Sequence, residues 1–108
     1  MPERIQQRRT KGWRKPENTV IVSRSSQWGN PFRVGQSVRR GVYEFTDDDS
    51  YVFVKDRAHA VALYREWLVG RADVRARILR NLRGKNLACW CPEGEPCHAD
   101  VLLEIANA

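Results

Sequence analysis

The 108-residue chain has no apolar run long enough to span a membrane. Its opening stretch, MPERIQQRRTKGWRKPEN, lacks the apolar core of an export signal. These absences argue against a helical membrane protein and set the expectation of a cytoplasmic domain with no membrane partner. The Gly-x-x-x-x-Gly-Lys-Ser/Thr pattern is missing, which excludes a phosphate loop of the nucleoside-triphosphatase type. There is no internal repeat, and no low-complexity segment beyond a basic stretch at the start. Cysteine is absent before position 89, and all three cysteines lie between 89 and 97. An odd number cannot pair completely, so this clustering signals a local site in a reducing compartment rather than a disulfide framework. Acidic residues are in deficit, 13 against 19 lysines and arginines, giving a net charge of +6.

The length fits one domain, and 42% hydrophobic with 30% charged residues is a globular balance. The positive charge is uneven. Arg4, Arg8, Arg9, Lys11, Arg14 and Lys15 crowd residues 1–18, a basic amino-terminal arm with Trp13 as a stacking surface. Arg71, Arg75, Arg77, Arg80, Arg83 and Lys85 lie along a helical stretch and its exit and read as a solvated face. Basic clusters favour phosphate-bearing partners, because neutralising phosphates releases counterions.

Residues 19–108 read as a single α/β domain. Thr19–Val22 is β-branched and apolar, a buried strand. Val42–Phe45 and Tyr51–Val54 flank a polar turn and predict a β-hairpin insertion. Asp56 caps a helix with Val61, Tyr64, Trp67 and Leu68 on one face, ended by Gly70. His59 falls on that helix without a special role. A second helix carries Val74, Ile78, Leu79 and Leu82 inward and ends at Gly84. Asn86–Trp90 is a short core strand, and a last helix buries Val101, Leu102 and Ile105. The order predicts a small, mostly parallel sheet flanked by helices, a minimal Rossmann-like arrangement too short to be doubly wound. In such sheets ligands bind where strands end. If the strands at 19–22 and 86–90 are parallel neighbours, the loops after them share one edge and line one pocket.

The first of those loops, Arg24-Ser25-Ser26-Gln27-Trp28-Gly29-Asn30-Pro31-Phe32, offers a guanidinium, hydroxyls, an amide and an indole. Arg24, Ser25, Ser26, Trp28 and Asn30 are the candidate ligand-binding residues. Arginine suits phosphate or carboxylate, and serine hydroxyls suit an anion-binding turn. Trp28 can stack on a base or, with Phe32, belong to the core.

The second loop holds Cys89-Trp90-Cys91-Pro92 and Cys97-His98-Ala99-Asp100, and three readings compete. Cys89, Cys91, Cys97 and His98 have the ligand types of a tetrahedral zinc site. Their spacing is unusual, since adjacent residues opening a helix diverge by about a quarter turn. Alternatively Cys97 is a thiol activated by a helix amino terminus and by His98, giving a catalytic pair. In the plainest reading Cys89 packs as a core residue and His98 holds the loop by hydrogen bonding.

The pairing of Ser23–Phe32 with Gly84–Pro92 and Cys97–Leu102 resembles an uncharacterised family, domain of unknown function 4326, of bacteria (notably actinobacteria) and their phages. The resemblance covers nearly the whole chain. It implies that the tryptophan–glycine–asparagine loop and the cysteine–histidine loop form one site, and that the stretch from Gly41 to Phe53 elaborates the family's spacer. The expectation is a nucleotide- or nucleic-acid-related ligand-binding domain, with Arg24 and Ser25 holding an anionic ligand and Cys97 and His98 nearest the chemistry. The alternative is a non-catalytic, zinc-stabilised nucleic-acid-binding module.

Overall fold

Residues 86–89 form the central strand. Leu87, Ala88 and Cys89 are all buried, as expected of a strand with both faces covered. In chain order the elements are β1 (Arg4–Gln6), β2 (Thr19–Ile21), β3 (Ser37–Arg39), α1 (Arg40–Glu44), β4 (Tyr51–Phe53), α2 (Arg57–Val69), α3 (Ala72–Leu82), β5 (Asn86–Cys89) and α4 (His98–Ala106). The computed structural model describes residues 2–24, 26–44, 46–92 and 94–108.

β5 lies between β1 and β2, and both neighbours run parallel to it. The register places Thr19 beside Asn86 and Ile21 beside Ala88. The segments after Ile21 and after Cys89 therefore leave the same, carboxyl-terminal edge of the sheet, as the sequence predicts. β1 falls within residues 1–18, the stretch expected as an arm. Its three residues pair with Leu87, Ala88 and Cys89. α4 rests on β5 and β1, and α3 and α2 pack against α4. The core joins Val22 and Leu87 of the sheet region to Leu68, Ile78, Leu82, Val101 and Leu102 of the helices. Each such burial contributes about 1.5–3 kcal/mol.

The hairpin is present but shifted. β3 pairs antiparallel with β4, Val38 opposite Val52. The expected first strand, Val42–Phe45, is not a strand: residues 40–44 are the short helix α1, and Phe45 lies outside the described residues. The backbone winds because the Arg40 and Gly41 N–H groups bond the Ser50 and Asp48 carbonyls, at 2.7 and 3.0 Å. A Cβ on Gly41 would stand 2.4 Å from the Thr46 carbonyl oxygen, so only glycine permits this path. One side chain decides the outcome. Tyr43 is buried edge-to-face on Phe32, whereas Val42 faces solvent. A second correction concerns α3, where Leu79 is 42% exposed and only Val74, Ile78 and Leu82 turn inward.

Candidate ligand-binding cleft and thiol cluster

The loop after β2 is built by its own side chains. Val22 ends the apolar run, and the Ser26 hydroxyl donates to the Ser23 carbonyl at 2.7 Å while accepting from the Trp28 N–H at 3.2 Å. This closes a serine turn of the kind that competes with regular structure. Gly29 follows because the chain doubles back on itself there. A Cβ at Gly29 would lie 2.3 Å from the Arg24 carbonyl oxygen. Asn30 is buried and uses both ends of its amide: Nδ2 donates to the Ala60 carbonyl at 3.1 Å, and Oδ1 accepts from the Phe32 N–H at 2.9 Å. That bridge fastens the loop to α2. Trp28 is a core residue at 5% exposure, and its carbonyl accepts from the Tyr64 hydroxyl at 2.9 Å.

With the loop fixed, Arg24 is oriented by its own backbone. Its guanidinium donates to the Asn30 carbonyl and to the Phe32 carbonyl, the latter at 3.1 Å. It lines a cleft of about 500 Å³ together with Arg33, Arg57, Cys91, Cys97 and His98. Trp90, Val34 and Val61 supply apolar wall to the same cleft. Burial, and then the facing charge of Arg33, push the Arg24 guanidinium down from its ordinary value. Among the described residues, Arg24, Arg33 and Arg57 make no salt bridge, and no carboxylate lines the cleft.

The second loop is held from outside. Arg4, on β1, donates to the Glu95 carbonyl at 2.7 Å, to the Pro92 carbonyl at 3.1 Å and to Asp100 at 3.1 Å. This clamp crosses more than eighty residues of sequence and fixes the turn between Cys91 and Cys97. Cys97 is the residue before α4, in extended conformation with φ −147° and ψ 143°. It therefore stands outside the helix, and the divergence expected of adjacent helical residues does not apply. The sulfurs of Cys89, Cys91 and Cys97 all lie within 4.8 Å of one another, with Cys89 and Cys97 at 3.0 Å. His98 Nε2–H donates to the Val22 carbonyl, tying α4 to the end of β2. Nδ1, on the other side of the ring, faces the Cys97 sulfur at 3.8 Å. The ring also stands edge-on to Tyr64.

As free thiols Cys91 and Cys97 hold their protons at neutral pH. The S–H shared with Cys89, followed by burial, pushes the Cys97 thiol up to about 11, although bonds from His98 and the Ala99 N–H act the other way. The same shared proton draws Cys89 down, and burial raises Cys91.

Of the candidate residues, the structure brings Arg24, Asn30, Cys91, Cys97 and His98 to one cleft, with Cys89 behind Cys91 and Cys97. Ser26 and Trp28 serve the loop's own architecture. Ser25 lies outside the described residues. Arg33, Arg57 and Trp90 were missed as site residues. Arg57 had a legible signal, since it follows the cap Asp56 and so opens a helix that leads away from a strand.

The arrangement defines a minimal parallel α/β domain whose carboxyl-terminal sheet edge carries arginines over a thiol–imidazole floor. The chain matches the family described as Domain of unknown function (DUF4326) over residues 5–108, and it belongs to that family. No curated protein and no solved structure matches it significantly. Among the described residues no helix is long and apolar enough to cross a membrane.

Proposed function

We propose that the cleft binds a phosphorylated ligand of the nucleotide class. The observation that carries the reading is the set of three arginines, Arg24, Arg33 and Arg57, on one cleft without a carboxylate among the described residues. Like charges held together repel, and an anion between them relieves the repulsion while accepting forked hydrogen bonds. α2 and α4 both begin at the cleft, so their unpaired N–H groups add to the positive field. Trp90, 45% exposed on the cleft wall, supplies a face for a base.

Calorimetric titration with nucleoside monophosphates and the corresponding nucleosides tests this. Binding should require the phosphate, and Arg57→Ala should weaken it roughly 10- to 150-fold, the loss of one charge-assisted contact of about 1.5–3 kcal/mol. Equal affinity for nucleoside and nucleotide would overturn the reading. A thiol–imidazole floor under a phosphate-binding rim also suits a nucleophilic or acid–base step. Turnover lost in His98→Gln while binding persists assigns such a step to the floor.

One contact favours a nucleic-acid strand as the source of the nucleotide. The Arg9 guanidinium lies 5.2 Å over the Trp90 ring, so the basic segment reaches the cleft wall. A strand with its terminal nucleotide in the cleft should bind with a steep salt dependence that Arg9→Ala makes shallower.

A further inference from the structure

We propose that Cys89, Cys91 and Cys97 form a three-thiolate site for a soft divalent cation of the zinc class, with its fourth position facing the arginine-lined cleft. The three sulfurs converge from separate backbone positions: the end of β5, the residue two further on, and the extended residue preceding α4. The chain bends at Trp90 and Cys91, directly after β5, and the sulfurs of Cys89 and Cys91 come together across that bend. Arg4 then folds the intervening turn so that Cys97 closes the triangle. Zinc bound to thiolates at about 2.3 Å sets sulfurs roughly 3.8 Å apart. The observed spacing brackets that value, from 3.0 Å up to a limit of 4.8 Å, so ångström-scale side-chain movement admits the ion.

The surroundings fit thiolates rather than packed thiols. The backbone N–H of Cys91 is directed at the Cys89 sulfur, and that of Ala99 at the Cys97 sulfur. Such donors are the outer-shell support that thiolate ligands use. Binding displaces the three thiol protons to solvent, and three thiolates around a dication leave one net negative charge. Arg24 faces Cys91 and Cys97, and Arg57 faces Cys91, so that charge is offset locally and the rim stays positive. Cys91 and Cys97 line the cleft whereas Cys89 does not, which directs the free coordination position outward. His98 flanks the set without completing it, because neither of its ring nitrogens lies within the mutual range of all three sulfurs. A metal with an open position on the cleft is the arrangement of sites that bind or polarise a ligand. The inference stands on the thiol geometry and does not require the phosphate reading.

Cobalt(II) titration of the reduced, chelator-stripped full chain tests it. One ion per chain should bind, with thiolate-to-cobalt charge-transfer absorption in the near ultraviolet, and zinc should displace it. All three thiols should then resist alkylation, and zinc should raise the thermal midpoint. Cys91→Ser, at the half-exposed position, should weaken binding by at least about tenfold, since even outer-shell losses cost that much. His98→Gln, which keeps a donor for the Val22 carbonyl, should keep the charge-transfer intensity and serves as the reference if Cys91→Ser does not fold. Absence of the band, with all three thiols alkylated in excess zinc, would overturn the proposal. So would a Cys89–Cys97 disulfide that persists under reducing conditions and leaves Cys91 alone reactive.

Discussion

Asn30→Ala isolates the bond that positions the cleft. The amide joins the loop to α2 through two buried contacts, to the Ala60 carbonyl and from the Phe32 N–H. Truncation leaves the Phe32 N–H buried without a partner, a desolvation cost of about 1–3 kcal/mol. Ala60 retains the bond its carbonyl makes within the helix, so the second loss is smaller, about 0.5–1.5 kcal/mol. The sum, about 1.5–4.5 kcal/mol, corresponds in a domain of this size to a fall in Tm of roughly 6–36 °C. Urea unfolding followed by far-ultraviolet circular dichroism measures it, with the exposed Gln27→Ala in the same loop as control. The control should stay within about 0.5 kcal/mol. Because the Asn30 carbonyl also seats Arg24, phosphate affinity should fall in the same variant under conditions where it remains folded. An Asn30→Ala protein as stable as the Gln27→Ala control would refute the bridge and the orientation of Arg24 built on it.

Two other perturbations bear on the scaffold. Arg4→Ala should cost about 2–3 kcal/mol and speed amide exchange across residues 90–97, because three carbonyl and carboxylate partners lose their donor. Arg4→Lys should not restore it, since a single ammonium cannot fork as a guanidinium does, and unchanged exchange in both variants would remove the clamp. Tyr64 is buried with its hydroxyl on the Trp28 carbonyl, and burial raises its phenol above the ordinary 10.0. The native state thus holds this proton more tightly than the unfolded chain. The associated stability is full below about pH 10 and is lost as pH rises from there through the folded value. Tyr64→Phe should cost about 1 kcal/mol at pH 7 and flatten the alkaline limb. Tyr43, also raised by burial, keeps part of that limb. An alkaline limb identical to wild type would contradict the assignment.

The features legible in the sequence are those that depend on short-range pattern. Strands form at Thr19–Ile21 and Asn86–Cys89, where the β-branched and apolar runs predict them, although Ile21 at the edge of the sheet is exposed. Asp56 caps α2 as read, its carboxylate accepting the His59 N–H at 2.8 Å. The convergence of the two loops was likewise visible, because both begin at strand ends. What escaped depended on distant partners. Arg4-Ile5-Gln6 is too short and too polar to announce a strand, and only the open edge of β5 makes it one. Val42–Phe45 has strand composition, but Gly41 and the burial of Tyr43 on Phe32 override it. Trp28 could stack on a base or belong to the core, and its burial places it in the core. Asn30 reaches the cleft as expected, and its buried amide also bridges the loop to α2. The adjacency of Cys97 and His98 counted against both as ligands of one ion, and the three sulfurs converge without a His98 nitrogen.

The most direct test is a two-dimensional amide and guanidinium NMR titration of the full chain with a nucleoside monophosphate. The account predicts saturable shifts concentrated at Arg24, Arg33, Arg57 and the segment from Trp90 to His98, with the arginines of α3 unmoved. Shifts confined to the α3 face, or none at millimolar ligand, would contradict it.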